Sequence, residues 1–228
     1  MSDSSKIRVV LQARTDSQRL PGKSMMLVSG YPLAVLAGLR AANTGLEVLF
    51  ATTNRSLDDL LAEAAKTAGL LVYRGETNNV RKRIIDACED LPEDAILVRL
   101  TGDNVLPDGA LIDEIVRNFI AKSQVFCSTQ NCPIPYGISV EVMRLGILRE
   151  SIYWGQSRDD NEHVTPAISN LMSHSIPPVK HPDGDLSKYR CTVDTQSDFD
   201  MITNLFSKVD SPITVGWQTL ISILVNEF

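Results

Sequence analysis

The 228-residue chain holds few cysteines, few histidines and no surplus of positive charge, and each shortage removes a class of function. Its four cysteines, Cys88, Cys127, Cys132 and Cys191, form no C-x-x-C pair. No histidine pair stands at finger spacing from Cys127 and Cys132, so a structural zinc site is not indicated. The thiols read instead as reduced, buried side chains of a cytoplasmic protein. No run approaches the roughly 20 apolar residues of a membrane-spanning helix. The polar stretch 1–6 lacks the apolar core of a secretory signal. Lysine and arginine total 22 against 28 acids, a net charge of −6, which argues against bulk binding of nucleic acid. An anionic ligand would need a local cluster of cations. Hydrophobic residues make up 43%, enough for one sizeable core, and the whole span 1–228 reads as one domain.

Short apolar runs alternate with segments of helical spacing. Strands are expected at 8–13, 47–52, 70–73, 95–100 and 125–129. Helices are expected at 32–42, 57–68, 80–88 and 110–121. Pro32 falls in the first turn of one helix, Ser56 is placed to cap another, and Gly69 to end it. This alternation predicts a mostly parallel sheet covered on both faces, with ligands beyond the carboxyl ends of the strands. From about residue 132 the rhythm changes. A strand at 139–143, helices at 145–154 and 164–174, and a loop at 175–188 are expected. A strand at 190–193 returning to the sheet and closing helices at 197–206 and 216–227 follow.

The loop after the first strand reads Gln12-Ala-Arg14-Thr-Asp16-Ser17-Gln-Arg19-Leu-Pro-Gly22-Lys23-Ser24. Three cations, Arg14, Arg19 and Lys23, stand against one acid. Arginine forks and the lysine point charge suit the oxygens of a triphosphate, and Pro21-Gly22 lets the backbone approach them. Residues 17–24 fit the P-loop pattern G-x-x-x-x-G-K-S/T except at Ser17, where the tight turn requires glycine. The apolar stretch 25–30, ending in Gly30-Tyr-Pro32, is also not the start of a helix.

This segment closely resembles the nucleotide-binding signature of cytidylyltransferases. Nearest is the group named after spore-coat polysaccharide biosynthesis protein F. The segment is also similar to the 3-deoxy-manno-octulosonate and acylneuraminate cytidylyltransferases. The resemblance runs from about residue 7 to 206. It implies a three-layer, Rossmann-like α/β fold of the nucleotide-diphospho-sugar transferase type. A small β-rich lobe for acceptor binding and dimerisation would occupy about 132–180. It further implies that Gln12, Ala13, Arg14, Ser17, Arg19 and Lys23 bind CTP, with Arg14, Arg19 and Lys23 also serving catalysis.

Two further segments match. Arg99-Leu-Thr101-Gly102-Asp103 ends the expected fourth strand, and Thr192-Val-Asp194-Thr-Gln-Ser-Asp198 lies late in the chain. By the resemblance Thr101 and Gly102 touch the nucleotide, and Asp103 and Asp194 hold Mg²⁺, with Asp103 in a catalytic role. Mg²⁺ takes one or two carboxylates together with phosphate oxygens and water. An acid at a strand end is equally a cap, and Asp198 reads as support for its helix. Thr52, Thr53 and Arg74 match segments lining the base and ribose pocket, although Arg74 also suits a strand cap. Tyr136, Glu141, Glu162 and His163 match acceptor-facing positions.

The chain also departs from the pattern. Ser139 stands where the family has an acid, Asp16 where it has a small residue, and Asn78-Asn-Val-Arg-Lys-Arg83 replaces an acidic stretch. The cations Arg81, Lys82 and Arg83 would suit a more anionic acceptor, such as a phosphorylated sugar or a phosphonate. The expected reaction is transfer of CMP from CTP to a nonulosonic or octulosonic type of sugar acid, for surface polysaccharide or glycan synthesis, in a homodimer. The alternatives are a nucleotidyltransferase with another triphosphate, and a nucleotide-binding homologue without turnover.

Overall fold

The computed structural model describes residues 6–171 and 177–227. Strand β1 (Ile7–Gln12) leads through the basic loop and a single 3₁₀ turn (Lys23–Met25) into a hairpin of β2 (Leu27–Val28) and β3 (Tyr31–Pro32). Then follow α1 (Leu33–Ala41), β4 (Val48–Thr53), α2 (Asp59–Thr67), β5 (Leu71–Gly75), α3 (Val80–Asp86) and β6 (Ile96–Thr101). The second half contains α4 (Gly109–Ala121), β7 (Phe126–Ser128), β8 (Glu141–Arg144), α5 (Leu145–Glu150) and α6 (Arg158–His163). It closes with α7 (Pro166–Leu171), α8 (Gln196–Phe206) and α9 (Trp217–Glu227).

Six strands form one sheet in the order β5-β4-β1-β6-β8-β7. The first four are parallel, and β8 runs antiparallel to both neighbours. The alternation along β1 assigns its faces: Val9 and Leu11 join the core under α1, α2, α4, α8 and α9, while Val10 joins the core under α3, α5 and α7. Both faces are covered, as a parallel sheet requires. Each fully buried Val or Leu contributes about 1.5–3 kcal/mol. Register decides where function sits. Gln12 lies level with Ala51 on β4 and Thr101 on β6, so the loops after these strands open at one edge. All four cysteines are free and buried. No helix among the described residues is long and apolar enough to cross a membrane.

Several expected elements differ. The small antiparallel sheet lies at residues 27–32, whereas the described part of 132–180 forms β8 and three short α-helices. Pro32 is extended (ψ 135°) at the N-cap of α1 rather than inside its first turn. Ser56 does not cap α2; a 3₁₀ turn, Ser56–Asp58, precedes that helix. The helix expected at 145–154 is α-helical only over α5 and tightens into a 3₁₀ turn, Ser151–Tyr153, where the Ser151 hydroxyl donates back to Leu148 O at 2.6 Å. The helix expected from residue 164 begins at Pro166, since Val164 has φ +74° and ends α6; residues 172–174 of that expectation, and 175–176 of the loop after it, lie outside the described residues. Residues 190–193 do not return to the sheet. They run extended between two loops, with Cys191 N donating to Tyr136 O at 2.7 Å and Val193 N to Asp103 O at 3.0 Å.

Candidate active site

Beyond the carboxyl ends of β1 and β6 lies a cleft of about 1120 Å³. Its walls include Gln12, Ala13, Arg14, Ser17, Arg19 and Lys23 from the first loop, and Thr101, Gly102 and Asp103 after β6. Tyr136, Glu141, Glu162, His163 and Asp194 face the same space. Residues spread across the sequence from 12 to 194 thus converge because the parallel strands end together.

The first loop is shaped by its backbone. Gly22 takes φ +73°, the left-handed region where glycine is unstrained, and its N–H donates to Thr15 O at 3.0 Å. That turn delivers Lys23 inward. The Lys23 ammonium donates to Asp103 Oδ2 at 2.9 Å, Val193 O at 2.7 Å and Asp194 Oδ1 at 3.1 Å. Asp194 also accepts from Arg19 at 2.7 Å and from Arg190. Thr101 donates to the other oxygen of Asp103 at 2.7 Å. Gly102 lets the turn after β6 pack against the first loop and α1: a Cβ there would stand 2.8 Å from the Cβ atoms of Ala13 and Ala34. Asp194 is not a helix cap. Thr195 and Asp198 form the capping box of α8, and Asp198 accepts the Asp194 and Thr195 N–H groups at 2.9 Å each. Burial raises the Asp198 pKa, and these bonds more than reverse that, leaving it below the usual carboxylate value.

Across the cleft mouth, Arg14 pairs with Glu162 on α6 and with Asp16, both at 3.2 Å, and Asp16 also pairs with Arg55. Glu141 accepts from Arg99 and from Thr165 at 2.8 Å, while Arg99 also donates to Gln12 at 2.9 Å. His163 is two-thirds exposed and lies 3.5 Å from Asp159.

Three expected residues are not brought to the cleft wall. Thr52 and Thr53 are fully buried, and Thr53 donates to Asp58. Arg74 staples the turn after β4, donating to Thr53 O at 2.9 Å and Arg55 O at 2.7 Å and pairing with Asp59 at 2.7 Å. The basic run of α3 divides by helical position. Arg81 is buried and donates to Ser151 O at 2.8 Å, Gly155 O at 2.6 Å and Asn161 at 3.0 Å. Burial lowers its pKa. Lys82 is exposed and pairs with Asp86 at 2.6 Å. Arg83 alone of the three lines the cleft. It donates to Glu76 O at 2.6 Å, and burial, with Arg14 adding repulsion, lowers its pKa to about 10. The run is therefore not a shared cationic platform. Asn79, in the same stretch, caps α3 by accepting from Lys82 N at 2.8 Å.

Asp58 has no counterpart among the expected site residues. Its carboxylate is buried, accepts from Thr15 N at 2.8 Å and Thr15 Oγ1 at 2.7 Å, and takes the Thr53 hydroxyl on its other oxygen. It ties the basic loop to β4. Asp58→Ala is expected to lower the unfolding free energy by about 2–3 kcal/mol and to weaken nucleotide binding, because buried donors lose their acceptor. Urea midpoints and a CTP titration on the same preparation measure both.

The donor set suits a divalent metal of the magnesium kind. Asp103 and Asp194 converge on one point, and phosphate oxygens and water would complete the shell. No cluster of three or more metal-type side chains occurs among the described residues, so an all-protein cage is not present there.

Spore coat polysaccharide biosynthesis protein SpsF of Bacillus subtilis is 28% identical over 96% of this chain and 93% of its own length. The solved structure of a cytidylyltransferase from Leptospira borgpetersenii superposes with a TM-score of 0.86 at 27% identity, covering 97% of this chain and 94% of that one. A CMP:2-keto-3-deoxy-manno-octonic acid synthetase complexed with CTP shares the fold, with a TM-score of 0.63 at 16% identity over 90% of this chain and 99% of that one. A family model described as cytidylyltransferase matches residues 8–205. The chain belongs to the cytidylyltransferase family and is a nucleotidyltransferase.

Proposed function

We propose that this enzyme transfers CMP from CTP to a sugar acid of the nonulosonic or octulosonic type, releasing pyrophosphate, in the synthesis of a surface polysaccharide or glycan. One observation carries the reading: Arg14, Arg19 and Lys23 from a single loop line one cleft with Asp103 and Asp194, and Arg19 and Lys23 pair with those acids. The three cations bind the triphosphate, and Gln12, Ala13 and Ser17 line its path. A hydroxyl oxygen of the acceptor attacks the α-phosphorus and gives up its proton to solvent water. The new P–O bond forms as the bond to the β-phosphate oxygen breaks, and pyrophosphate leaves with that electron pair. Arg19 and Lys23 offset the charge that builds on the departing oxygens. Asp103 and Asp194 would hold Mg²⁺, which when bound neutralises phosphate charge and lowers the pKa of a coordinated hydroxyl.

Glu162 and His163 on α6, together with Tyr136, bind the acceptor in this reading, which their shared lining of the cleft supports. Glu141, tied to Arg99 and Thr165, acts as a prop for that wall. The working form is a cytoplasmic homodimer joined through about 132–180, where Tyr153 and Leu171 stand 80% and 64% exposed. The test is a pyrophosphate-release assay with Mg²⁺, each of the four ribonucleoside triphosphates and a panel of 2-keto-3-deoxy sugar acids. Release with CTP and one acid, abolished by Asp103→Asn, is expected. Release with another triphosphate, or with CTP and only a phosphorylated sugar, would overturn the respective half of the reading.

A further inference from the structure

We infer that Lys23 is a resident stand-in for the divalent cation, so that the metal enters this site with the nucleotide and not ahead of it. The inference rests on the reading of the cleft given above, and it concerns the order in which the site fills.

An ammonium group has three donors. Those of Lys23 are all used, by Asp103 Oδ2 at 2.9 Å, Val193 O at 2.7 Å and Asp194 Oδ1 at 3.1 Å. Both carboxylates are equally committed. Asp194 accepts from Lys23 and Arg19 on one oxygen and from Arg190 on the other. Asp103 accepts from Lys23 on one oxygen and from Thr101 on the other. The point where the two acids converge is thus filled by a protein cation. At the centre of the cluster the side chains of Lys23 and Asp194 are 11% and 8% exposed, and Asp103 is 29% exposed.

Consider a free divalent ion approaching this arrangement. It must shed water, which magnesium does reluctantly, and must displace an ammonium that would then lie buried without its counter-charges. A triphosphate changes the balance. Its oxygens give Lys23 and Arg19 new acceptors, and Arg19, 67% exposed, is free to swing toward them. As these cations turn to the phosphates, Asp103 and Asp194 are left needing a positive charge, and the metal supplies it. One anion is exchanged for another at Lys23, and one cation for another at the acids. Metal and nucleotide therefore favour each other's binding, and by linkage the effect is reciprocal.

The probe is Mn²⁺ alone, with its free fraction read from the electron paramagnetic resonance signal as it is titrated into nucleotide-free protein. Lys23→Met is expected to bind Mn²⁺ about ten-fold or more tightly than the wild type, because removing the ammonium exposes both acids. Asp103→Asn in the Lys23→Met background is expected to erase the gain. Arg19→Met, at an exposed side chain whose loss spares the fold, is expected to shift affinity the same way by a smaller factor. Equal Mn²⁺ affinity in wild type, Lys23→Met and Arg19→Met would overturn the inference. So would tight Mn²⁺ binding at this site by the nucleotide-free wild type, removed by Asp103→Asn. If Lys23→Met fails to fold, the Arg19→Met comparison decides alone. A separate CTP titration of the wild type with Mg²⁺ present tests the underlying reading. Absence of CTP binding there would defeat that reading whatever the Mn²⁺ series shows.

Discussion

Asp194→Asn is expected to cut turnover by about 10²–10³-fold while leaving metal-free CTP binding intact or tighter. The two effects have opposite signs because Asp194 plays against two groups. It is the one carboxylate that Arg19, Lys23 and Arg190 share. Asparagine keeps the shape and loses the charge, so the cations are released toward phosphate oxygens. The same change removes half of the acidic pair at which the metal would bind, and the charge that builds on the phosphates goes unmatched. The measurements are kcat with the acceptor that supports wild-type turnover, and CTP affinity in EDTA. Parallel loss of both would mean that Asp194 serves only to hold the loop in place.

The largest loss of stability is expected at Arg40. This side chain lies in the last turn of α1 with no exposure at all. Its guanidinium donates to Leu106 O at 2.8 Å, Pro212 O at 2.7 Å and Val215 O at 2.9 Å. It sits 4.0 Å from Asp108 and 5.5 Å from the centre of the Phe206 ring. Burial pulls its pKa down to about 10, and Asp108 opposes that shift. Asp108 in turn caps α4 through Leu111 N at 2.9 Å and accepts from Trp217 N at 2.8 Å, at the start of α9. Arg40→Leu leaves one buried and two partly buried carbonyls without their donor and the buried Asp108 without its cation, and should cost about 3–5 kcal/mol. At this chain length that corresponds to a fall in Tm of about 10 °C, readable by calorimetry. Arg40→Lys should restore only part, since a single ammonium cannot reach three separated carbonyls in the same geometry.

How much of this is legible in the sequence depends on whether a residue's partners are local. The central strands are legible because β1 and β6 are apolar on both faces, which only a covered parallel sheet explains. The cation loop is legible because Arg14, Arg19 and Lys23 fall within ten residues of one another at a strand end. Residues 190–193 mislead, because an extended segment between two loops has the same apolar pattern as an edge strand. Arg81 and Arg83 look like neighbours of the exposed Lys82, yet helical geometry turns them inward, and the carbonyls that accept from Arg81 lie about 70 residues away. Arg74 reads as a nucleotide contact by the resemblance and equally as a strand cap, and its guanidinium meets the Thr53 and Arg55 carbonyls at the end of β4. Asp58 is hidden for a related reason: one partner, Thr53, is close by, but Thr15 is 43 residues distant, so nothing local marks it as the anchor of the basic loop.

The buried cysteines bear on how the enzyme meets oxidants and electrophiles. Burial raises the thiol pKa of Cys88 and Cys132 to about 11 and of Cys127 to about 12, and raises that of Cys191 as well. At neutral pH the chain therefore presents essentially no thiolate, the form that peroxides, maleimides and mixed disulfides attack. These four thiols, Cys132 at the cleft wall included, are therefore expected to react slowly with peroxides and maleimides at neutral pH.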